Sequence, residues 1–428
     1  MKGKVILIFF LLVFMVFPVF AERVPMPPLV MPTAASSGMG GHHIAYTDNV
    51  FSLLVNPAAM IRVQQRSFFT IAPTMFSPVF TRDMFGAISD VASDTSDTAA
   101  VGKMLENLGE REGRVAMGFE LREFPLSIAW VANGFGFGLW NRTYINFNVK
   151  GTFVDAYIFE DLMFPVGMAF RVLDMNGHNL DMGATIKPYA RASARINNIS
   201  VFKMQDDMEA VIDETPIPLV AGVGFDLGLM YRWDMVGLRA GFTLSDVFST
   251  GTVVQNFNPN FEDTNSYYFP FRMGLGLAYD VKLGQQIWKS APRPLDGLGF
   301  TFAFDWHDIG NIFNQDDYLN HRNASLDLAF GFQISMWEIF FVRMGLNEML
   351  PAFGLGFDLG PFKLDFALYG RELGNEPGQL SASMMDISVS IRPGAKQRNW
   401  PWARRAIFTG PAYAASDDTA DDDSEGSD

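Results

Sequence analysis

Cysteine is absent from the 428 residues, which excludes disulfides, thiol chemistry and the lipidated cysteine of a bacterial lipoprotein. Histidine is scarce. His42, His43, His178, His307 and His321 are the whole supply of imidazole, and adjacent His42 and His43 point apart in any regular element, a poor chelate. No metal site is expected. Asp305, His307 and Asp308 stand together, but no serine lies at a spacing that would complete a hydrolase. A phosphate loop and a nucleotide fingerprint are also missing. The chain therefore reads as a non-enzyme with no catalytic residue and no cofactor. Basic patches with interleaved aromatics are lacking too, so no nucleic acid partner is expected. After residue 17 no apolar run is long enough to span a membrane as a helix.

What charge there is sits mostly at one end. The formal net charge is −15, but Asp417, Asp418, Asp421, Asp422, Asp423, Glu425 and Asp428 place seven acids in a tail without a base, and removing them leaves −8. The body is only mildly acidic, and the tail reads as a solvated, disordered end. At the other end Lys2 and Lys4 precede an apolar run from Val5 to Phe17, and small residues surround Ala21. This is the pattern of a secretory signal peptide, residues 1–21, cleaved near Ala21.

The abundant signal is alternation. Ala324, Leu326, Leu328, Phe330, Phe332 and Ile334 fall on one face of a period-two segment, and Ser325, Asp327, Ala329, Gly331, Gln333 and Ser335 on the other. Leu298 to Trp306, Val223 to Trp233, Phe271 to Val281 and Leu364 to Tyr369 repeat the pattern. A strand of a water-soluble sandwich carries Lys, Glu and Thr on its wet face, whereas here the weaker face is Gly, Ala, Ser and single Asp or Arg residues. The bulky face needs an apolar solvent, the requirement of an all-β transmembrane barrel with lipid outside and a crowded polar lumen.

Fourteen antiparallel strands are predicted, at 66–75, 124–132, 136–148, 162–173, 181–193, 218–232, 236–245, 269–281, 296–307, 324–335, 338–345, 352–358, 362–370 and 381–392. Their connections alternate. Those at 76–123, 149–161, 194–217, 246–268, 308–323, 346–351 and 371–380 are mostly long, and those at 133–135, 174–180, 233–235, 336–337 and 359–361 are tight. Only 282–295 breaks the order. Asn133-Gly134 and Gly360-Pro361 have turn chemistry. Such alternation implies an outer-membrane barrel with tight turns and both termini on the periplasmic side. Residues 114–124 also have strand character, but the loop pattern assigns them to the first long connection.

Within the long connections, apolar residues recur at helical spacing. Met84, Phe85, Ile88 and Val91, then Val101, Met104, Leu105 and Leu108, predict two short amphipathic helices, and Met204, Met208, Val211 and Ile212 a third. Such stripes ordinarily pack on a barrel rim. Met84, Phe85, Met104, Leu105, Met204 and Met208 are also the candidate landing site for a hydrophobic ligand, because methionine and phenylalanine offer adaptable apolar surface.

Before the first strand lie more than forty residues past the cleavage point. Residues 22–32, ERVPMPPLVMP, are too rich in proline for regular ladders. Gly38-Met39-Gly40-Gly41, then Ala45, Asp48 and Asn49, and above all Asn56-Pro57-Ala58 follow. These residues resemble the N-terminal region of the FadL-type long-chain fatty-acid transporter superfamily, including its PorV-like and spirochaete relatives. The local resemblance is confined to this stretch; the remainder matches in architecture only. It implies a fourteen-stranded barrel whose residues 22–62 fold inward as a hatch, with Asn56, Pro57 and Ala58 as gating residues, and a hydrophobic solute leaving through a lateral opening. Physically, Pro57 would stop a helical turn over 50–55, the Asn56 amide could bond backbone in the lumen, and Ala58 would allow close approach to the wall. Gly222, Gly224, Gly228, Gly274, Gly276, Gly297, Gly299 and Gly331 would leave the room.

The domains are then 1–21 signal peptide, 22–62 hatch, 63–393 barrel and 394–428 a C-terminal extension. That extension departs from the resemblance: the last strand continues into Trp400, Trp402, Arg404 and Arg405 before the acidic tail, where recognition by the barrel-assembly machinery ordinarily reads a terminal aromatic. Expected partners are hydrophobic small molecules or fatty acids, outer-membrane lipid and the assembly machinery. The expected function is passive uptake of hydrophobic molecules. A PorV-like barrel that anchors or escorts an exported protein, and a general porin, are the alternatives.

Overall fold

The computed structural model describes residues 23–41, 43–47, 49–63, 68–71, 75–81, 114–150, 153–200, 203, 208–261, 265–283, 295–312 and 322–393. Among the described residues eighteen strand segments form one sheet. In chain order they are β1 (Arg23–Pro25), β2 (Phe68–Ile71), β3 (Met75–Thr81), β4 (Arg114–Ala132), β5 (Phe135–Lys150), β6 (Phe153–Met163), β7 (Val166–Met175), β8 (His178–Ser200) and β9 (Pro218–Trp233). Then come β10 (Leu238–Asn256), β11 (Ser266–Tyr268), β12 (Arg272–Lys282), β13 (Leu298–Trp306), β14 (Leu328–Met336), β15 (Phe340–Asn347), β16 (Leu350–Asp358), β17 (Phe362–Glu372) and β18 (Ser381–Ile391). All ladders are antiparallel except β1 on β11. The sheet closes into a barrel because β18 pairs with β2 through Ile391 and Ile71, and with β3 through Ala382 to Met384. Closure leaves no long edge to aggregate. Among the described residues no helix is long and apolar enough to cross a membrane.

The alternation sorts as its chemistry requires. Phe302, Phe330, Met344, Leu355 and Leu368 are exposed on the outside, while Asp305, Gln333, Arg343, Asp365 and Asp386 are buried within. Greasy residues face out and polar ones face in, the inverse of a soluble barrel. The buried charges are paired: Arg142 with Glu120, Arg191 with Asp161, Lys187 with Asp226 and Asp246, and Arg343 with Asp365. Pairing offsets the cost of holding ions away from water.

Several expected connections are strand instead. Residues 153–161 belong to β6, because Tyr157 and Phe159 cover the inner side of this wall and erase the greasy-out pattern. Residues 114–122 are the first part of β4, whose ladder with β5 is broken between Arg122 and Ser127. The 346–351 connection is a two-residue turn at Glu348 and Met349, with φ of 50° and 64°. Left-handed turns normally announce themselves with Gly or Asn, as at Asn133-Gly134 with φ of 50° and 80°. Glu348 is held instead by its carboxylate, which accepts the Glu372 N–H at 2.6 Å and pairs with Arg322 at 3.0 Å. Residues 324–327 are a 3-10 turn rather than strand, capped by Asn323 Oδ1, and Leu326 is consequently buried. Residues 22–32 are not wholly without ladder either, since β1 pairs with β11. That pairing sets Arg23 beside Ser266, at the end of β11 that follows a long connection from β10, whereas the loop pattern predicts the N-terminus on the side of the tight turns.

The expected hydrophobic landing residues Met84, Phe85, Met104, Leu105 and Met204 lie outside the described residues. So do His42, His321, the expected signal peptide at 1–21 and the 394–428 extension. A short helix, Met208–Asp213, stands in the 201–217 connection, but the Met208 side chain is likewise outside what is described.

Candidate functional site

Residues 34–63 lie against the small-residue inner face of the barrel. They fold as a helix, Ala34–Gly38, a tight path through Gly40 and Gly41 with φ of 89° and 142°, a second helical turn, Ser52–Val55, and a 3-10 helix, Pro57–Arg62. Thr33 caps the first helix in a reciprocal arrangement with Ser36, so this end is held by its own side chains.

The second pair of turns is organised by one side chain. Asn56 is fully buried, and its Oδ1 accepts the Ala58 N–H at 3.1 Å, capping the 3-10 helix with Pro57 at its first position. Its Nδ2 donates to Ile44 O at 3.2 Å and to Leu229 O of β9 at 3.1 Å. One amide therefore caps a helix, closes the 44–56 loop and ties that loop to the wall. Arg62 adds a second internal tie, donating from Nη1 to Ala45 O at 3.0 Å.

Close approach explains the glycines. A Cβ on Gly228 would fall 2.9 Å from Pro57 Cδ, and one on Gly276 2.8 Å from Ala45 N. Gly183 meets the Pro57 and Ala58 backbone, Gly274 meets Ile44, and Gly331 and Gly345 meet Met39. Of the glycines expected to make room, Gly228, Gly274, Gly276 and Gly331 do so; Gly222, Gly224, Gly297 and Gly299 face wall side chains or backbone instead. Gly183 escapes sequence reading because its strand is already rich in small residues, and Gly345 because it stands alone among the bulky residues of β15.

Electrostatics pin the same segment at the opposite wall. Asp305 Oδ2 accepts the Ile44 N–H at 2.7 Å, with His43 Nδ1 at 3.8 Å and His307 Nε2 at 3.7 Å. Burial lowers the His43 pKa below its ordinary 6.5, opposed by the Asp305 charge and reinforced by His307, so the ring stays neutral when seated. With its pKa lowered on folding, His43 favours the seated state above pH 6.5, and that contribution is lost as pH falls below it. Acidification from pH 7.5 to 5 should therefore lower the hydrogen-exchange protection factors of Ile44 and Ala45, taken against the intrinsic rate at each pH, and H43Q should flatten the response.

Apolar contact completes the site. Val50, Phe51, Leu53 and Met60 of the segment, with Met26, Leu29 and Met31 before it, form one cluster with Trp140, Met163, Tyr189, Val220 and Phe269 of the wall. Around this seam the wall is irregular. The β5 partner strand is interrupted at Phe164 and Pro165, the β4–β5 ladder skips 123–126, and Phe269 to Phe271 separate β11 from β12. Two apolar concavities of about 580 and 370 Å³ lie elsewhere, on the outward face, among Phe302, Phe330 and Met344 and among Phe340, Leu355 and Leu364.

Similar solved structures include three transporters or their homologues. The P. putida toluene transporter TodX has a TM-score of 0.46 at 12% identity, covering 84% of this chain and 97% of its own. The Ralstonia pickettii toluene transporter TbuX has 0.44 at 11%, with 86% and 98% covered, and a Pseudomonas aeruginosa FadL homologue 0.43 at 11%, with 85% and 98%. No protein-family profile and no curated protein matches the sequence.

Proposed function

We propose that this chain is an outer-membrane channel for uptake of hydrophobic molecules, long-chain fatty acids or similar lipids, through a barrel gated by residues 22–62. The observation that carries the reading is the apolar seam. The described lumen wall is dominated by paired ions, yet one continuous strip of Met, Leu, Phe and Trp runs between the interior segment and the wall, beside interruptions in the strand ladders. A polar solute gains nothing from such a strip, and a hydrophobic one is stabilised by about 25 cal/mol for each Å² it buries. Joining β2 to β3, β6 to β7 and β11 to β12 across their interruptions, and setting β1 aside, gives fourteen staves. In this reading Asn56, Pro57 and Ala58 hold the hatch shut, and the irregular wall near Pro165 is the lateral exit. The methionines and phenylalanines of the long connections would supply first capture.

Mass spectrometry of the gently purified protein should find bound apolar lipid, and a variant lacking residues 22–62 should lose it. Lipid-free intact protein would overturn uptake and leave the PorV-like anchor, whose lumen needs no passage.

A further inference from the structure

Preceding the helix at Ala34, the stretch 23–33 is an arm whose chemistry is set by Pro25, Pro27, Pro28 and Pro32. Prolines donate no backbone hydrogen bond, and an extended proline-rich chain makes none within itself, so its carbonyls need outside donors when they leave water. Two guanidiniums of the wall provide them. Arg191 of β8 turns Nε and Nη2 to Asp161 and donates from Nη1 to Pro27 O at 2.6 Å. Arg122 of β4 pairs through Nη2 with Asp386 and donates from Nη1 to Pro32 O. In both cases a buried carboxylate fixes part of the guanidinium, and the remaining donor reaches the arm. Phe159 and Phe269 flank Arg191 at 4.6 and 5.2 Å, which fixes its plane.

A third tether lies at the arm's far end, where β1 runs parallel to β11 and the Met26 N–H reaches Tyr268 O at 2.8 Å. Between these tethers Met26, Leu29 and Met31 press into the apolar seam. We infer that residues 23–33 are a strap over the seam, latched by Arg191 and Arg122, which opens separately from the 34–63 segment beneath. Separate opening follows from the tethers to the wall, with Thr33 and its cap to Ser36 as the joint between the two parts. The arm is held by guanidiniums of β8 and β4 and by β11, whereas 34–63 is held by Asn56 on β9 and Asp305 on β13. None of these tethers serves both. This inference rests on the uptake reading only for what the strap covers; the latch itself is structural.

Arginine is specific to the task. Lysine at 191 or 122 keeps the charge for Asp161 or Asp386, but its single ammonium cannot reproduce the planar fork that serves carboxylate and carbonyl together. Because the chain has no cysteine, Met31→Cys gives a unique reporter on the buried side of the strap and Ala59→Cys one on the buried side of the inner segment. Maleimide labelling of the M31C thiol in the folded barrel should accelerate roughly tenfold or more in R191K and R122K, the factor expected from losing one charge-assisted hydrogen bond. The A59C thiol should stay protected in the same backgrounds. A variant lacking residues 22–27 retains both arginines and should expose the M31C thiol as well. Unchanged M31C labelling in all three variants overturns the latch, and equal exposure of the A59C thiol overturns separate opening. Faster M31C labelling with no change in lipid binding would leave the strap standing and count against the uptake reading.

Discussion

Replacing Asn56 with alanine should turn a silent barrel into one that passes ions steadily across a planar bilayer. The fully buried amide makes three hydrogen bonds, to Ile44 O, Leu229 O and Ala58 N. Truncation leaves those groups buried without that partner, at about 1–3 kcal/mol for each that finds no substitute. Taking about 3 kcal/mol for the set, the ratio of seated to unseated segment falls roughly a hundredfold. Aspartate at 56 separates the roles. It still caps the 3-10 helix but cannot donate to Ile44 O or Leu229 O, so N56D should leak as N56A does if the wall tie governs seating, and should stay closed if capping alone suffices. The barrel wall keeps its own ladders in both variants, so the thermal unfolding of the sheet should move far less than the current.

That role is legible in part from the sequence, because Asn-Pro-Ala combines an amide, a helix stop and a small residue in a segment too long to be a leader. The partners are not. Ile44 is 12 positions away from Asn56 and Leu229 is 173, and nothing local in either marks it as an acceptor. The same holds for the arm: proline richness announces an extended chain that lacks donors, but Arg191 and Pro27 are 164 residues apart. Strand faces are legible wherever bulky residues point only outward, as in β13 and β14. They are hidden in β6, where Tyr157 and Phe159 stack inward on Arg195 and Arg191. A rule built on greasy exteriors fails where the interior has aromatic lining of its own. Turns follow suit, with Asn-Gly pairs visible and the Glu348-Met349 turn invisible, because there a carboxylate network rather than residue type supports the left-handed backbone.

Leucine at Gly228 tests whether the small inner face exists for the interior segment or merely for compactness. Gly228 lies in the middle of β9, paired with Gly183 on β8 and Thr243 on β10, at a backbone conformation open to any residue. The strand itself therefore tolerates a side chain, and leucine favours extended structure over glycine. What cannot tolerate it is Pro57, whose Cδ would sit 2.9 Å from the first added carbon, with Asn56 Oδ1 and the Ala58 N–H beside it. Proline's fixed backbone and the three-bond Asn56 anchor leave no flexible end to yield, so overpacking should cost about 3 kcal/mol or more, the upper part of the usual range. In the full-length chain G228L should raise bilayer current as strongly as N56A and abolish protection of Ala58 and Ala59 amides. In a variant lacking residues 22–62 the same substitution should be neutral or stabilising, since the glycine then faces only solvent in the lumen. That reversal is the discriminating measurement, because a glycine needed for the wall itself would cost the same in both backgrounds.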